Sequence, residues 1–247
     1  MENFWGDAFL AGQRVLVVAP HADDETYGCA GTVARIKSLG GQVYVLLASL
    51  GGIAHYGASG NGESMRHVSA QTRLTEFSAV MEMLKVDDWE VIFEDQSVHL
   101  ALDTVSRREL VQQIERDARL SIENIRPTMF LIPSMSYNQD HEALFRACMT
   151  AARPGLRTER HFVSVVLGYD NTSLFWAPEG EHFHPGLYVD ISEFLDLKID
   201  AIRTHSSQMR ASLFHGSPEG LELQTRLRGR EVSLEAAEGF VVHRAVF

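Results

Sequence analysis

A short acidic segment follows the first apolar run of the chain. His21, Asp23 and Asp24 come directly after RVLVVA (residues 14–19), which has the composition of a buried strand. His21 offers an imidazole nitrogen and Asp24 a carboxylate oxygen, and a tight turn can bring both onto one metal ion. Asp23 lies beside these ligands, where it is suited to take a proton from an activated water. The alternative is an ordinary helix start, because carboxylates in a first helical turn complement the helix dipole.

A second polar segment follows another apolar run. Residues 128–132 predict a strand, and Asp140 and His141 come shortly after it. Since ligand sites in open α/β sheets lie at the carboxyl ends of strands, His141 would complete a ligand set with His21 and Asp24. Three protein ligands leave one position open, which is the catalytic arrangement of zinc. Asp140 would either orient the imidazole of His141 or cap the helix. Taken alone, His141 is more typical of an ordinary helix start than of a metal ligand.

The elements that must position these residues alternate along the chain. Short runs of Val and Leu predict strands buried on both faces, and the helices between them supply the crossovers of a parallel sheet. Strands are predicted at residues 14–19, 42–48, 90–93, 128–132, 162–167 and 186–191, and helices at residues 28–39, 63–84, 103–124, 141–152 and 192–205. We predict an α/β fold, a Rossmann-like three-layer sandwich with a mostly parallel sheet. Residues 49–62, rich in glycine, predict an irregular loop near the site, and a polar segment closes the chain.

Composition narrows the functional classes. The chain has 247 residues, 45% of them hydrophobic, and a formal net charge of −11. These values exclude intrinsic disorder and predict one domain over residues 1–247. No apolar run reaches the ~18 residues of a membrane-spanning helix, and the start of the chain lacks the features of a signal peptide. The negative charge argues against nucleic acid as a partner, and two cysteines predict a reducing cytoplasm.

Several motifs together resemble one enzyme family. They are APHADDE (residues 19–25), GCAGT (28–32) and NQDH (138–141), with TRLTE containing Arg73 and Glu76. This combination resembles the PIG-L/LmbE family of zinc-dependent N-acetylglucosaminyl deacetylases. Segments 189–208 and 226–240 extend the resemblance over nearly the whole chain.

The resemblance implies a site and a reaction. It places one Zn²⁺ per chain on His21, Asp24 and His141, with Asp23 as general base and later general acid, and Arg73 as a substrate-binding residue. The implied activity is hydrolysis of an N-acyl group, expected to be N-acetyl, from an amino sugar or glycoconjugate. Alternatives are an amidase acting on a non-sugar or thiol-conjugate amide and a non-catalytic module binding a nucleotide or a protein partner. Related proteins often form trimers or hexamers, so a homo-oligomer is expected.

Two positions depart from the family pattern. Ala22 stands where the family usually has proline. The alanine relaxes the turn without removing a ligand. Asn138 stands where the family often has histidine. An asparagine amide can donate a hydrogen bond to an oxyanion but cannot carry a proton, so Asn138 is predicted to contact substrate in this way. His205 and His182 are candidates for a cationic assistant, with an ordinary structural histidine as the alternative for each.

Overall fold

The computed structural model describes residues 4–56, 65–171, 183–212 and 214–247. The helices are α1 (Phe4–Ala11), α2 (Asp24–Ser38), α3 (Ala70–Met83), α4 (Arg107–Gln112), α5 (Ile122–Ile125), α6 (Gln139–Ala151), α7 (Leu195–Thr204) and α8 (Pro218–Glu231). The strands are β1 (Arg14–Ala19), β2 (Gln42–Ser49), β3 (Ile53–Tyr56), β4 (Met65–Val68), β5 (Asp88–Phe93), β6 (Met129–Pro133), β7 (Val165–Tyr169), β8 (Leu187–Asp190) and β9 (Ala237–Ala245). None of the helices in these ranges is long and apolar enough to cross a membrane.

One large sheet organises the described residues. Its strand order is β5-β2-β1-β6-β7-β9-β8. The strands from β5 to β7 run parallel to their neighbours, whereas β9 is antiparallel to both β7 and β8. This arrangement confirms the predicted mostly parallel α/β sheet. The sequence reasoning missed β9, which it treated as part of a polar C-terminal segment because charged residues lie along it.

Helices cover both faces of this sheet. Val15 and Val17 of β1 belong to one buried cluster, and Leu16 and Val18 belong to the other. The first cluster is completed by residues of α1, α2, α3, α7 and α8, and the second by residues of α4, α5 and α6. The strand therefore buries successive side chains in opposite directions, as expected for a sheet between two helical layers.

Three predicted segments differ in the structure. The helix predicted at residues 63–84 begins at Ala70, because the Ser69 hydroxyl accepts a hydrogen bond from the Thr72 backbone N–H at 3.0 Å and caps the first turn. β3 lies in the region predicted as loop, β4 lies at the start of the predicted helix, and the two form a separate antiparallel pair. Residues 57–64 lie outside the described ranges. The helix predicted at 103–124 is divided into α4, a π-helical turn at Gln113–Asp117 and α5.

The first crossover helix contains a break that β9 stabilises. α2 begins at Asp24, earlier than predicted, and Cys29 inside it has a non-helical φ of −150°. The Glu238 carboxylate accepts hydrogen bonds from the Gly31 and Thr32 backbone N–H groups at 2.9 and 2.7 Å. The ammonium of Lys198 lies 2.5 Å from the same carboxylate. Backbone donors released by the break are thus satisfied from a distant strand.

Candidate metal centre

The predicted ligand residues meet at the carboxyl ends of two neighbouring strands. His21 and Asp24 follow β1, and His141 lies in the first turn of α6, which follows β6. Asp24 Oδ2 is 3.2 Å from His21 Nδ1 and 3.3 Å from His141 Nε2. All three side chains are buried, and a ligand atom from each lies within 4.8 Å of the others. The structure thus brings the predicted His, Asp, His set together.

Each ring nitrogen of His21 faces a carboxylate, and this arrangement stabilises positive charge on the imidazole. Its Nε2 lies 2.8 Å from Asp140 Oδ2, while its Nδ1 faces Asp24. A neutral imidazole carries one ring N–H and can donate to only one of these carboxylates. Burial disfavours the charged form of His21, but hydrogen bonds with Asp140 and Asp24 outweigh it and raise its pKa to about 9. Asp140 and Asp24 therefore stabilise positive charge at His21, whether it is carried by a second ring proton or by a metal ion in place of that proton.

A divalent cation fits this set of side chains. His141 Nδ1 is buried without a hydrogen-bond partner among the described residues. The combination of two imidazoles and one carboxylate is a donor set that transition metals such as zinc accept. His21, Asp24 and His141 would therefore hold the ion, which would take the place of the proton between His21 and Asp24.

The structure places Asp140 against His21 instead of His141. Its Oδ2 contacts His21 Nε2, and its Oδ1 accepts a hydrogen bond from the Leu102 backbone N–H at 2.9 Å. The predicted contact with His141 is wrong, since adjacent residues in a helix point about 100° apart. The helix-cap alternative is also wrong, because Asn138 caps α6. Asp140 holds one ligand imidazole in a fixed orientation, as carboxylates commonly do beside metal sites.

Asp23 lies in a strained turn between His21 and Asp24, two of the predicted ligands. Its φ is 153°, a value that non-glycine residues rarely adopt. The backbone N–H donates to the His21 carbonyl at 3.0 Å, and the Asp23 carbonyl accepts from Thr26 and Tyr27, both at 2.9 Å. Burial and the negative charge of Asp24 raise the pKa of Asp23 to about 6. The residue as a whole is only partly buried, and its raised pKa makes the carboxylate suited to exchange protons near neutral pH.

Arg73 and His99 extend the site on the side of α3. The guanidinium of Arg73 is buried, and its Nη1 donates to the Gly51 carbonyl at 3.1 Å and to His99 Nε2 at 2.7 Å. Its positive charge also lowers the pKa of Asp23. The ring of His99 is edge-on to that of His21, with centroids 5.3 Å apart. Sequence reasoning missed His99, since no motif surrounds it.

Asn138 caps the N-terminus of α6, the helix that carries His141. Its Oδ1 accepts hydrogen bonds from the Asp140 and His141 backbone N–H groups at 3.0 and 3.4 Å. Only its amide nitrogen is left as a donor of that side chain. A second asparagine, Asn171 after β7, donates to Asp24 Oδ1 at 3.2 Å and was also missed from sequence. This hydrogen bond orients the carboxylate ligand.

His205 is connected to the Asp23 turn through Glu25. Its Nε2 is 3.5 Å from Glu25 Oε1, and Glu25 Oε2 accepts from the Asp23 backbone N–H at 3.2 Å. Burial lowers the pKa of His205, but Glu25 more than offsets this and raises it above the ordinary value. The positive charge that results lowers the pKa of Asp23. His182, the other predicted candidate, lies outside the described residues.

Comparison with known proteins identifies the family. Residues 16–152 match the sequence profile of PIG-L, described as GlcNAc-PI de-N-acetylase. This chain belongs to the PIG-L family. The match spans His21, Asp24 and His141, the candidate metal ligands, from β1 through α6, so the motifs and the geometry agree.

Named relatives of this PIG-L chain are deacetylases. The Probable N-acetyl-alpha-D-glucosaminyl L-malate deacetylase 2 of Bacillus cereus is 27% identical over 81% of this chain and 86% of its own length. Diacetylchitobiose deacetylase of Thermococcus kodakarensis is 28% identical over 79% of this chain and 70% of its own length. A solved structure, the conserved protein TT1542 of Thermus thermophilus, has a TM-score of 0.68 and 26% identity, covering 95% of this chain and 96% of the other.

Proposed function

We propose that this chain is a zinc-dependent N-deacetylase that hydrolyses the N-acetyl group of an amino sugar or glycoconjugate. The observation that carries the proposal is the buried set of His21, Asp24 and His141 beside the partly exposed Asp23, in a chain of the PIG-L family. Two relatives whose names specify deacetylation of N-acetylglucosaminyl or diacetylchitobiose compounds support the sugar class.

We propose zinc as the ion, with one Zn²⁺ per chain on His21, Asp24 and His141. Three nitrogen and oxygen ligands with a further position open are typical of catalytic zinc sites. When bound, the ion supplies Lewis-acid polarisation of the amide carbonyl and lowers the pKa of a water.

Asp23 moves the proton in this proposal. Its carboxylate takes the proton of the attacking water and later returns it to the leaving amine nitrogen. The Asn138 amide N–H donates to the substrate carbonyl oxygen as negative charge develops there. Arg73 binds substrate, and Asp140 fixes the imidazole of His21. The positive charge of His205 stabilises the carboxylate form of Asp23.

We extend the proposal to the whole chain. Strands from both ends of the sequence join in one sheet, which supports a single domain over residues 1–247. The two buried free cysteines, Cys29 and Cys148, support a cytoplasmic location. Assembly into a homotrimer or homohexamer is proposed from the family resemblance, and light scattering of the purified protein measures it directly.

Release of acetate tests the function. The zinc-loaded protein is incubated with N-acetylglucosamine, diacetylchitobiose and N-acetylglucosaminides that differ in aglycone, alongside acetylated amines that lack a sugar. We expect acetate and free amine in equal amounts from at least one sugar substrate. Release only from non-sugar amides would favour the general amidase, and no release from any amide by protein with a full complement of zinc would contradict the proposal.

A further inference from the structure

We propose that His99 is a positioning residue that fixes the guanidinium of Arg73 beside Asp23. The inference deepens the proposed deacetylase function and rests on it. Three observations carry the inference: the proton arrangement of His99, the way its backbone is held, and the bonding of Arg73.

The proton arrangement of His99 follows from its neighbours. A guanidinium only donates hydrogen bonds, so His99 Nε2, 2.7 Å from Arg73 Nη1, must accept. The ring proton of the neutral imidazole therefore lies on Nδ1, which is 3.1 Å from Ser49 Oγ and donates to it. One neutral tautomer satisfies both contacts. The side chain connects the end of β2 to the helix that carries Arg73.

The backbone around His99 is held tightly. Gly51 has no room for a side chain, since a Cβ there would lie 2.5 Å from His99 Cβ. Leu100, which follows His99, has a φ of 60°. Its carbonyl accepts a hydrogen bond from Gln139 Nε2 at 3.0 Å. Asp140, which orients His21, also accepts from the Leu102 backbone N–H. The same carboxylate therefore anchors both a ligand imidazole and the segment that carries His99.

Arg73 depends on this arrangement for its direction. Its Nη1 is committed to His99 and to the Gly51 carbonyl, whereas its Nε is buried without a partner among the described residues. Without His99, the guanidinium would keep its charge but lose one of its two acceptors. We expect weaker and less directed substrate binding, and therefore a larger effect on KM than on kcat.

Two substitutions of similar polarity distinguish positioning from simple packing. In His99→Gln the amide oxygen can reach the position of Nε2 and accept from Arg73, whereas the shorter side chain of His99→Asn reaches only the position of Nδ1. We expect H99N to lower kcat/KM at least about tenfold, mostly through KM, and H99Q to stay within about threefold of wild type. Zinc content and thermal midpoint should remain close to wild type in both.

A double-mutant cycle shows whether His99 acts through Arg73. In an Arg73→Met background, H99N should cause no further loss, because the group that it positions is gone. Wild-type activity in H99N, equal losses in H99N and H99Q, or an undiminished H99N effect in the R73M background would each overturn the inference.

A readout independent of activity separates this inference from the proposed function. Nitrogen-15 NMR of the zinc-loaded protein reports the tautomer of each imidazole. We expect neutral His99 with its proton on Nδ1, and a changed Nε2 shift in R73M. An inactive wild type with this tautomer would contradict the deacetylase and leave the His99–Arg73 pair established, whereas a proton on Nε2 would refute the pair in active or inactive protein.

Discussion

Asp23 combines a strained backbone with a carboxylate between His21 and Asp24, two of the proposed zinc ligands. A φ of 153° costs free energy in a non-glycine residue, and it persists because hydrogen bonds on both sides of the turn hold it. The turn leaves Asp23 only partly buried, whereas Asp24, the next residue, is buried. Adjacent carboxylates are thereby given different surroundings, which suits them to different tasks.

Removing the basic group of Asp23 should abolish most turnover. We expect Asp23→Asn to lower kcat at least ~100-fold, because general acid–base assistance is typically worth that much. Zinc content should stay unchanged, since the ligand side chains remain. Acetate release and metal analysis measure both quantities, with Asp117→Asn, an exposed aspartate outside the site, as the matched control. A D23N protein as active as the control would remove Asp23 from the proposed role.

Site residues could be identified from the sequence where they belong to a motif. His21, Asp23, Asp24 and His141 lie where expected, because each follows a strand whose carboxyl end is recognisable from sequence. His99 and Asn171 reach the site from segments without such a pattern, and their partners are known only once the chain has folded. Asp140 neither orients His141 nor caps the helix, the two roles that the sequence left open, since sequence adjacency does not give side-chain direction.

At the scale of elements, the pairing of α2 with β9 depends on one buried ion pair. Glu238 and Lys198 are 3% and 2% exposed, and the carboxylate also accepts two backbone N–H groups from α2. Removing one partner of a buried pair leaves the other charge unmatched. We expect Glu238→Gln to destabilise the fold by about 3–5 kcal/mol in urea unfolding.

An exposed pair supplies the control for that prediction. Glu222 and Arg226 lie one turn apart on α8, with side chains 42% and 41% exposed, so Glu222→Gln should cost less than about 1 kcal/mol. Equal losses in E238Q and E222Q would show that the buried carboxylate does not hold the broken helix.

A second ion pair, on the other face of the sheet, predicts a pH effect. Burial would raise the pKa of Glu115, but the hydrogen bond from Arg153 and the charge of Arg160 outweigh it and lower the pKa. A carboxyl whose pKa is lower in the folded state adds stability above its unfolded pKa and loses it as the pH falls. Glu115→Gln should therefore be less stable than wild type at pH 7, and the difference should shrink below the ordinary glutamate pKa.

Urea midpoints of both proteins at pH 7 and at acidic pH measure this effect. Glu82→Gln, an exposed position on α3, is the control and should follow wild type at each pH. A constant difference between E115Q and wild type across the range would contradict the prediction.

Helices and strands were predictable where the spacing of apolar residues fitted only one of these two structures. β1 has the predicted bounds because its apolar run is buried on both faces, and β2 extends the prediction by one residue. β9 was missed because Glu238 and Arg244 interrupt its apolar residues, and the reason for a buried glutamate becomes visible only with Lys198 and α2 beside it. The prediction of a helix at 63–84 was wrong at its start, where β4, paired with β3, takes the place of the first helical turns.

The whole molecule shows how topology concentrates chemistry. Parallel strands β2, β1, β6 and β7 are neighbours, so the residues after them converge at one edge of the sheet. Ser49, His21, His141 and Asn171 reach the site from the ends of those four strands. This convergence is the general reason why sites in open α/β sheets lie at the carboxyl ends of the strands, and it made the site predictable before its contacts were known.

Metal content tests the central claim most directly. Mass spectrometry of purified protein, after zinc reconstitution and removal of loose ions, compares wild type with His141→Ala and with His67→Ala, an exposed histidine outside the ligand set. We expect about one zinc per chain in wild type and H67A and little in H141A, because a catalytic zinc needs its three protein ligands. Wild type without zinc, or H141A with as much zinc as wild type, would contradict the account.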